Sequence, residues 1–204
     1  TVLRAIAKRD PLDSTSAQFP TESRDGILPR DLRGKRIALV REVMELDISE
    51  GQRIAHSRAA DVLRELGAEV SEVSIPSLPA SYAVYYAISS AEASSNLARY
   101  DGVRFGSRSD SPFSSIDEFY KNNRSEGLGK EAKRRIMLGT FVLSEGSYDD
   151  YYKKALSVRE LVREDYRKAF EGCDLILSPT APETASPING EPRTPASVYS
   201  EDFS

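Results

Sequence analysis

Between Arg36 and Pro76 the chain changes its hydrophobic period twice, and few folds accept that order. Arg36-Ile37-Ala38-Leu39-Val40 is a short continuous apolar run, introduced by the turn at Arg33-Gly34-Lys35. Such a run suits a strand buried on both faces of a sheet. Ser49-Glu50-Gly51-Gln52 has capping-box spacing: Ser49 can accept a backbone N–H and Gln52 can reach back. Beyond it Ala55, Ala59, Val62, Leu63 and Leu66 form one helical stripe. Gly67 is placed to end that helix, because glycine takes the left-handed conformation at low cost. Ala68 to Pro76 then alternates with period two, as a strand does. Strand, helix and strand within about 40 residues predict a βαβ unit with parallel strands. The turn after the first strand, Arg41-Glu42-Val43-Met44-Glu45, holds neither GxGxxG nor GxxxxGK[ST]. Without those glycines a backbone cannot approach a pyrophosphate, so a dinucleotide site is not expected here.

Around this unit the chain reads as irregular at both ends and helical between. Residues 1–36 are dense in turn formers, among them Asp10-Pro11, Asp13-Ser14-Thr15-Ser16, Phe19-Pro20 and Leu28-Pro29. Pro79 to Tyr100 predicts a helix rich in Ala and Ser, small enough for a neighbouring backbone to pack closely. Asp101 to Gly106 is a turn or loop. Lys130 to Ser144 sets Lys130, Lys133, Arg134 and Arg135 before the apolar run Ile136 to Leu143, which is expected to be buried. A long helix from about Asp149 to Phe170 carries Tyr152, Ala155, Leu156, Val162, Tyr166, Ala169 and Phe170 at helical spacing, with Gly172 closing it. Asp174-Leu175-Ile176-Leu177 reads as a buried strand, stopped by Ser178-Pro179, and the remainder to Ser204 is loop-like. The class is α/β.

Composition removes much familiar chemistry. With 28 Lys+Arg against 32 Asp+Glu, the formal net charge of -4 disfavours a general nucleic-acid binder. No apolar run approaches the ~20 residues that cross a bilayer, and a soluble cytosolic chain is expected. One Cys excludes an internal disulfide and a thiolate zinc cluster, and one His leaves no His-rich metal site. His56 reads as a partly exposed boundary residue and Cys173 as a small buried thiol without an activator beside it. The chain opens at Thr1 without Met and stops at Ser204 after a Pro-rich stretch, so it reads as an internal piece of a longer polypeptide.

Two residue groups carry recognition chemistry. Arg135 adjoins the apolar run, so its guanidinium is expected at the core boundary, where its fork of donors suits a carboxylate. That carboxylate is either an internal Asp or Glu or a small acidic ligand, and pattern alone favours the internal salt bridge. Tyr85 and Tyr86 either fill core or wall a pocket with a hydroxyl pointing inward. Serines on the Ala/Ser helix have no visible base, so no nucleophile is assigned.

Four stretches in order go further. They are Asp10 to Ser16, Tyr85 to Arg104, Glu126 to Ser144 and Leu177-Ser178-Pro179-Thr180-Ala181-Pro182. Together they resemble the amidase signature family, and within it the glutamine-hydrolysing subunits of aspartyl/glutamyl-tRNA amidotransferases. The resemblance implies a mixed β-sheet sandwiched between helices and amide hydrolysis by a Ser–Ser–Lys triad. In the tRNA enzyme this subunit releases ammonia from glutamine. The ammonia reaches a partner subunit that uses ATP and Mg to amidate Glu or Asp misacylated on tRNA. The implied partners are the B and C subunits of the amidotransferase, with misacylated tRNA met through the former. The implied location is the cytoplasm, or an organelle in a eukaryote.

The family's Gly/Ser-rich signature and its Lys find no counterpart in these 204 residues, so no catalytic residue and no metal ligand is assigned, and no cofactor is expected on this chain. Residues 1–204 then read as one partial amidase domain, lacking the N-terminal catalytic part and the C-terminal end. Three glutamine-contacting positions do fall in matched stretches: Tyr85 lining the pocket, Arg135 holding the α-carboxylate and Asp202 facing the α-amino group. The Asp202 match is looser, because Arg193-Thr194-Pro195 stands where an Asp-Pro is usual. The alternatives are a piece of another amidase-signature hydrolase, or a noncatalytic scaffold module. The isolated chain is expected to be inactive and aggregation-prone, since missing sheet neighbours expose strand edges.

Overall fold

Strand β1 (Arg36–Val40) is the centre of a three-stranded sheet, with β2 (Glu69–Val73) and β3 (Leu175–Leu177) parallel to it on either side. The computed structural model describes residues 8–17, 31–46, 48–181 and 184. Ile37 and Ala38 are neighbours and so point to opposite faces, yet both are buried, which requires cover on both sides of β1. The βαβ expectation holds, with Ile37 paired to Val70 and Val40 to Val73. All three described strands are parallel, so the described part of the sheet contains no antiparallel pair.

Helix α1 (Arg41–Glu45) follows β1 directly, where the sequence predicts only a turn. The Arg53 guanidinium donates to the Met44 and Leu46 carbonyls, which satisfies the end of α1 from the next helix. That helix, α2 (Glu50–Glu65), starts as its capping spacing predicts: the Ser49 hydroxyl accepts from the Gln52 N–H at 3.3 Å. Gly67 ends it with φ +93°, a conformation that side-chain-bearing residues resist. Val40, Ile75 and Leu78 form the buried centre, covered by Val43, Val73, Ile176 and Tyr166 of the last helix. Beside them lies the Glu42 carboxylate, which is buried. It accepts from the Ser74 hydroxyl and from the Ile75 N–H at 2.8 Å. Burial pushes this carboxyl up, but those hydrogen bonds outweigh it and hold the group below its ordinary range.

The rest is helical: a short 3-10 turn (Leu78–Ala80), α3 (Ser81–Leu97), α4 (Ile116–Gly127), α5 (Lys130–Val142), a π turn (Tyr148–Lys153) and α6 (Lys154–Gly172). Ser77 donates its hydroxyl to Asp165 at 2.6 Å, fastening α6 to the turn that launches α3. Asp174 accepts from the Arg36 backbone and guanidinium, both at 2.9 Å, and so docks β3 on β1. The small residues of α3 serve close packing, as their size predicts. A Cβ built on Gly139 of α5 would lie 1.9 Å from the Ser90 carbonyl oxygen, so only glycine lets these helices approach this far.

Four expectations need correction. The run Ile136 to Leu143 is not buried throughout: Met137 is 74% exposed and Phe141 52%. Eight helical residues cover every side of a helix, and only the Gly139 and Val142 side is buried. Phe170 is 48% exposed, at the end of its helix. The strand at Leu175 is an edge among the described residues, with Leu175 itself 56% exposed. His56 is buried rather than at a boundary, its Nε2 3.3 Å from the Leu177 carbonyl oxygen. Helix α4 stands outside the sequence expectations although Ser115 and Glu118 carry its capping signal, and Ser115 does accept from the Glu118 N–H.

Candidate functional site

The close crossing of α3 and α5 brings two pairs of adjacent residues face to face: Tyr85-Tyr86 and Arg134-Arg135. Arg135 Nη1 donates to the Tyr85 hydroxyl at 3.2 Å, and its guanidinium carbon lies 5.8 Å from the centre of the Tyr85 ring. Arg134 repeats the arrangement one position back, donating to the Tyr86 hydroxyl with its guanidinium 5.5 Å from that ring. Tyr86 in turn stacks on Tyr82 at 6.1 Å. Each pairing joins a cation to the electron-rich face of a phenol, an attraction that strengthens out of water.

Glu131, one turn before both arginines, holds them together. It accepts from Arg135 Nε at 2.9 Å and from Arg134 Nε and Nη2, each at 2.9 Å. Burial pushes the Glu131 carboxyl up, and the hydrogen bonds from Arg135 and Arg134 more than reverse that. The Arg135 guanidinium is held more strongly protonated than usual, first by its bond to Tyr85 and then by Glu131. Its side chain is 23% exposed against 43% for Arg134, so Arg135 is the more sheltered of the two cations.

Tyr85 links this cluster to a cleft. A space of about 300 Å³ opens between α3 and α6, lined by Val84, Tyr85, Ile88, Arg159 and Val162, with Ser81 and Ser89 at its wall. With Arg159 in its lining, the cleft can accept a small ligand whose carbon chain lies on apolar side chains while an anionic end meets that guanidinium. Of the two sequence readings of Arg135, the internal salt bridge is present, with Glu131 as its partner.

Of the three residues singled out from the sequence, Tyr85 and Arg135 come together, while Asp202 lies outside the described residues. Glu131 is not among those three, although Glu131 and Arg135 stand at the i,i+4 spacing that puts acid and base on one helical face. Arg159 has no local signal, because only packing of α6 on α3 places it at the cleft. Among the described residues, no three His, Cys, Asp or Glu side chains group to hold a metal ion. No described helix is long and apolar enough to cross a membrane.

Comparison with known proteins gives the family and the fold. A family model described as Amidase matches residues 1–203. The chain is 45% identical over 202 residues to the A subunit of glutamyl-tRNA(Gln) amidotransferase from Caldanaerobacter subterraneus subsp. tengcongensis, covering 99% of this chain and 41% of that one. It is 47% identical over 202 residues to the protein of that name from Geobacillus kaustophilus, with the same 99% and 41% coverage. The chain thus spans about two fifths of the length of these curated relatives, on their 41% coverage. Among solved structures, the A subunit of glutamyl-tRNA(Gln) amidotransferase from Thermotoga maritima aligns with a TM-score of 0.61 at 34% identity. That alignment covers 96% of this chain and 37% of the other.

Proposed function

The chain belongs to the amidase family, and from that membership we propose that it forms part of the glutamine pocket in the ammonia-releasing subunit of a tRNA-dependent amidotransferase. The observation that carries this reading is the bond from Arg135 to Tyr85, a residue of the cleft wall, in a chain so similar to subunits of that name. A guanidinium bonded to a tyrosine of the cleft wall suits an amino acid's α-carboxylate, because its planar donors match two carboxylate oxygens. The Tyr85 ring walls the cleft, so a bound side chain lies against carbon rather than water. Asp202 would face the α-amino group. In this reading the chain contributes pocket and scaffold within a partial amidase domain, and no residue of the triad. Ammonia released nearby would pass to the B subunit, held together with the C subunit in the cytoplasm. There ATP and Mg would activate Glu or Asp misacylated on tRNA.

The reading is tested in the full-length protein within its assembly. Arg135→Ala is expected to raise the KM for glutamine at least about tenfold, the loss of one charge-assisted contact. Amidation driven by added ammonium, which bypasses glutamine, serves as the reference reaction. An unchanged glutamine KM would reject the assignment.

A further inference from the structure

One carboxylate organises the whole Arg–Tyr cluster. Glu131 Oε1 accepts from both Arg135 Nε and Arg134 Nη2, while its Oε2 accepts from Arg134 Nε. Each guanidinium also bonds the hydroxyl of a tyrosine one helix away. Contacts therefore run Tyr85–Arg135–Glu131–Arg134–Tyr86 and close through the backbone of α3. We infer that Glu131 is a positioning residue, which fixes the Arg135 guanidinium for carboxylate capture without itself touching the ligand. This rests on the glutamine-pocket reading above.

The physical case is one of preorganisation. A free arginine side chain samples many rotamers, and binding would otherwise have to remove that freedom. Glu131 holds Nε and Tyr85 holds Nη1, and two anchors at different corners set both the tilt and the rotation of a planar group. An i,i+4 pair whose carboxylate is half-exposed contributes little to stability by itself. Orientation is the role that the shared geometry favours.

Two substitutions separate orientation from charge, because both remove the same charge and only one keeps an acceptor. In Glu131→Gln the amide oxygen can stay at the Oε1 position and serve Arg135 Nε, while the amide nitrogen displaces the bond to Arg134 Nε. In Glu131→Ala no acceptor remains at that position. Measured in the full-length protein within its assembly, Glu131→Ala is expected to raise the KM for glutamine about tenfold, with kcat within about twofold. Glu131→Gln is expected to bring KM back to within about threefold of the parent protein, on the same reasoning. Equal KM shifts in the two variants, or none in either, would overturn the inference, since charge alone or nothing at all would then be at work. Loss of ammonium-driven amidation together with glutamine use in Glu131→Ala would also overturn it, by giving Glu131 a purely structural role. Should Arg135→Ala leave the glutamine KM unchanged, the pocket reading itself fails, whatever Glu131 does.

Discussion

The interior around β1 and the α3–α5 crossing are both buried, but they are built on opposite principles. Around β1 the interior is made by filling: Val40, Ile75 and Leu78 bring volume together from strand and loop, and Tyr166 caps it from α6. At the crossing the interior is made by omission. Ser90 of α3 is buried where Gly139 of α5 passes, and the helices close because these positions carry little or no side chain. Filling is sensitive to loss of volume, whereas omission is sensitive to its gain. The crossing is also the part that serves a site, since it brings Tyr85 within reach of Arg135.

The sharpest way to break this contrast is to cut volume from the sheet side. Ile75→Ala, at a residue with no exposed surface, is expected to cost about 4 kcal/mol in chemical denaturation. A cost under about 1 kcal/mol would show that this core collapses freely. The mirror experiment adds one carbon to the crossing. Gly139→Ala is expected to cost about 3 kcal/mol, since its Cβ would meet backbone that cannot step aside. It should also weaken glutamine binding, because separating α3 from α5 moves Tyr85 off Arg135.

Glu42 tests whether the filled side depends on polar satisfaction as well as volume. Glu42→Gln is expected to cost about 2 kcal/mol near neutral pH, because a charged acceptor holding the Ser74 and Ile75 donors is lost. The folded-state pKa of this carboxyl is depressed, so its contribution is fully present above the unfolded value of about 4.3. It is lost as pH falls through the lower folded value. The stability gap between parent and variant should therefore narrow with acidification, and a gap that widened would reverse the assigned sign.

The smallest effect should come from removing an atom at the crossing. Ser90 is fully buried, and its hydroxyl has no hydrogen-bond partner among the described residues. Ser90→Ala should change stability by less than about 1 kcal/mol, in the stabilising direction if in any. A loss as large as that of Ile75→Ala would end the distinction between the two regions.

Much of the filled region can be read along the chain, because period and capping are local. The alternation after Gly67, the Ser49 cap and the apolar run at Ile37 each announce their element within a few residues. Helix α4 is legible too, in Ser115 and Glu118, but its apolar stripe is short, running only through Ile116, Phe119 and Tyr120. The exposure of Met137 and Phe141 is not legible, because a continuous apolar run does not say which side of its helix another helix will cover. Burial of His56 is likewise decided at a distance, by a strand 121 residues further on.

The candidate site divides in the same way. Residue types are visible in the sequence: a tyrosine pair, an arginine pair, and Glu131 one turn before Arg135. Resemblance to a family then attaches roles to Tyr85 and Arg135. Their meeting, 50 residues apart in the chain, depends on how closely two helices can approach, and that is set by Gly139 against Ser90. The sequence by itself determined the elements and the chemical groups available, because helix, strand and cap signals act within a turn or two. Only the tertiary structure decided which of those groups share a site, because that choice lies in packing between segments that carry no local record of one another.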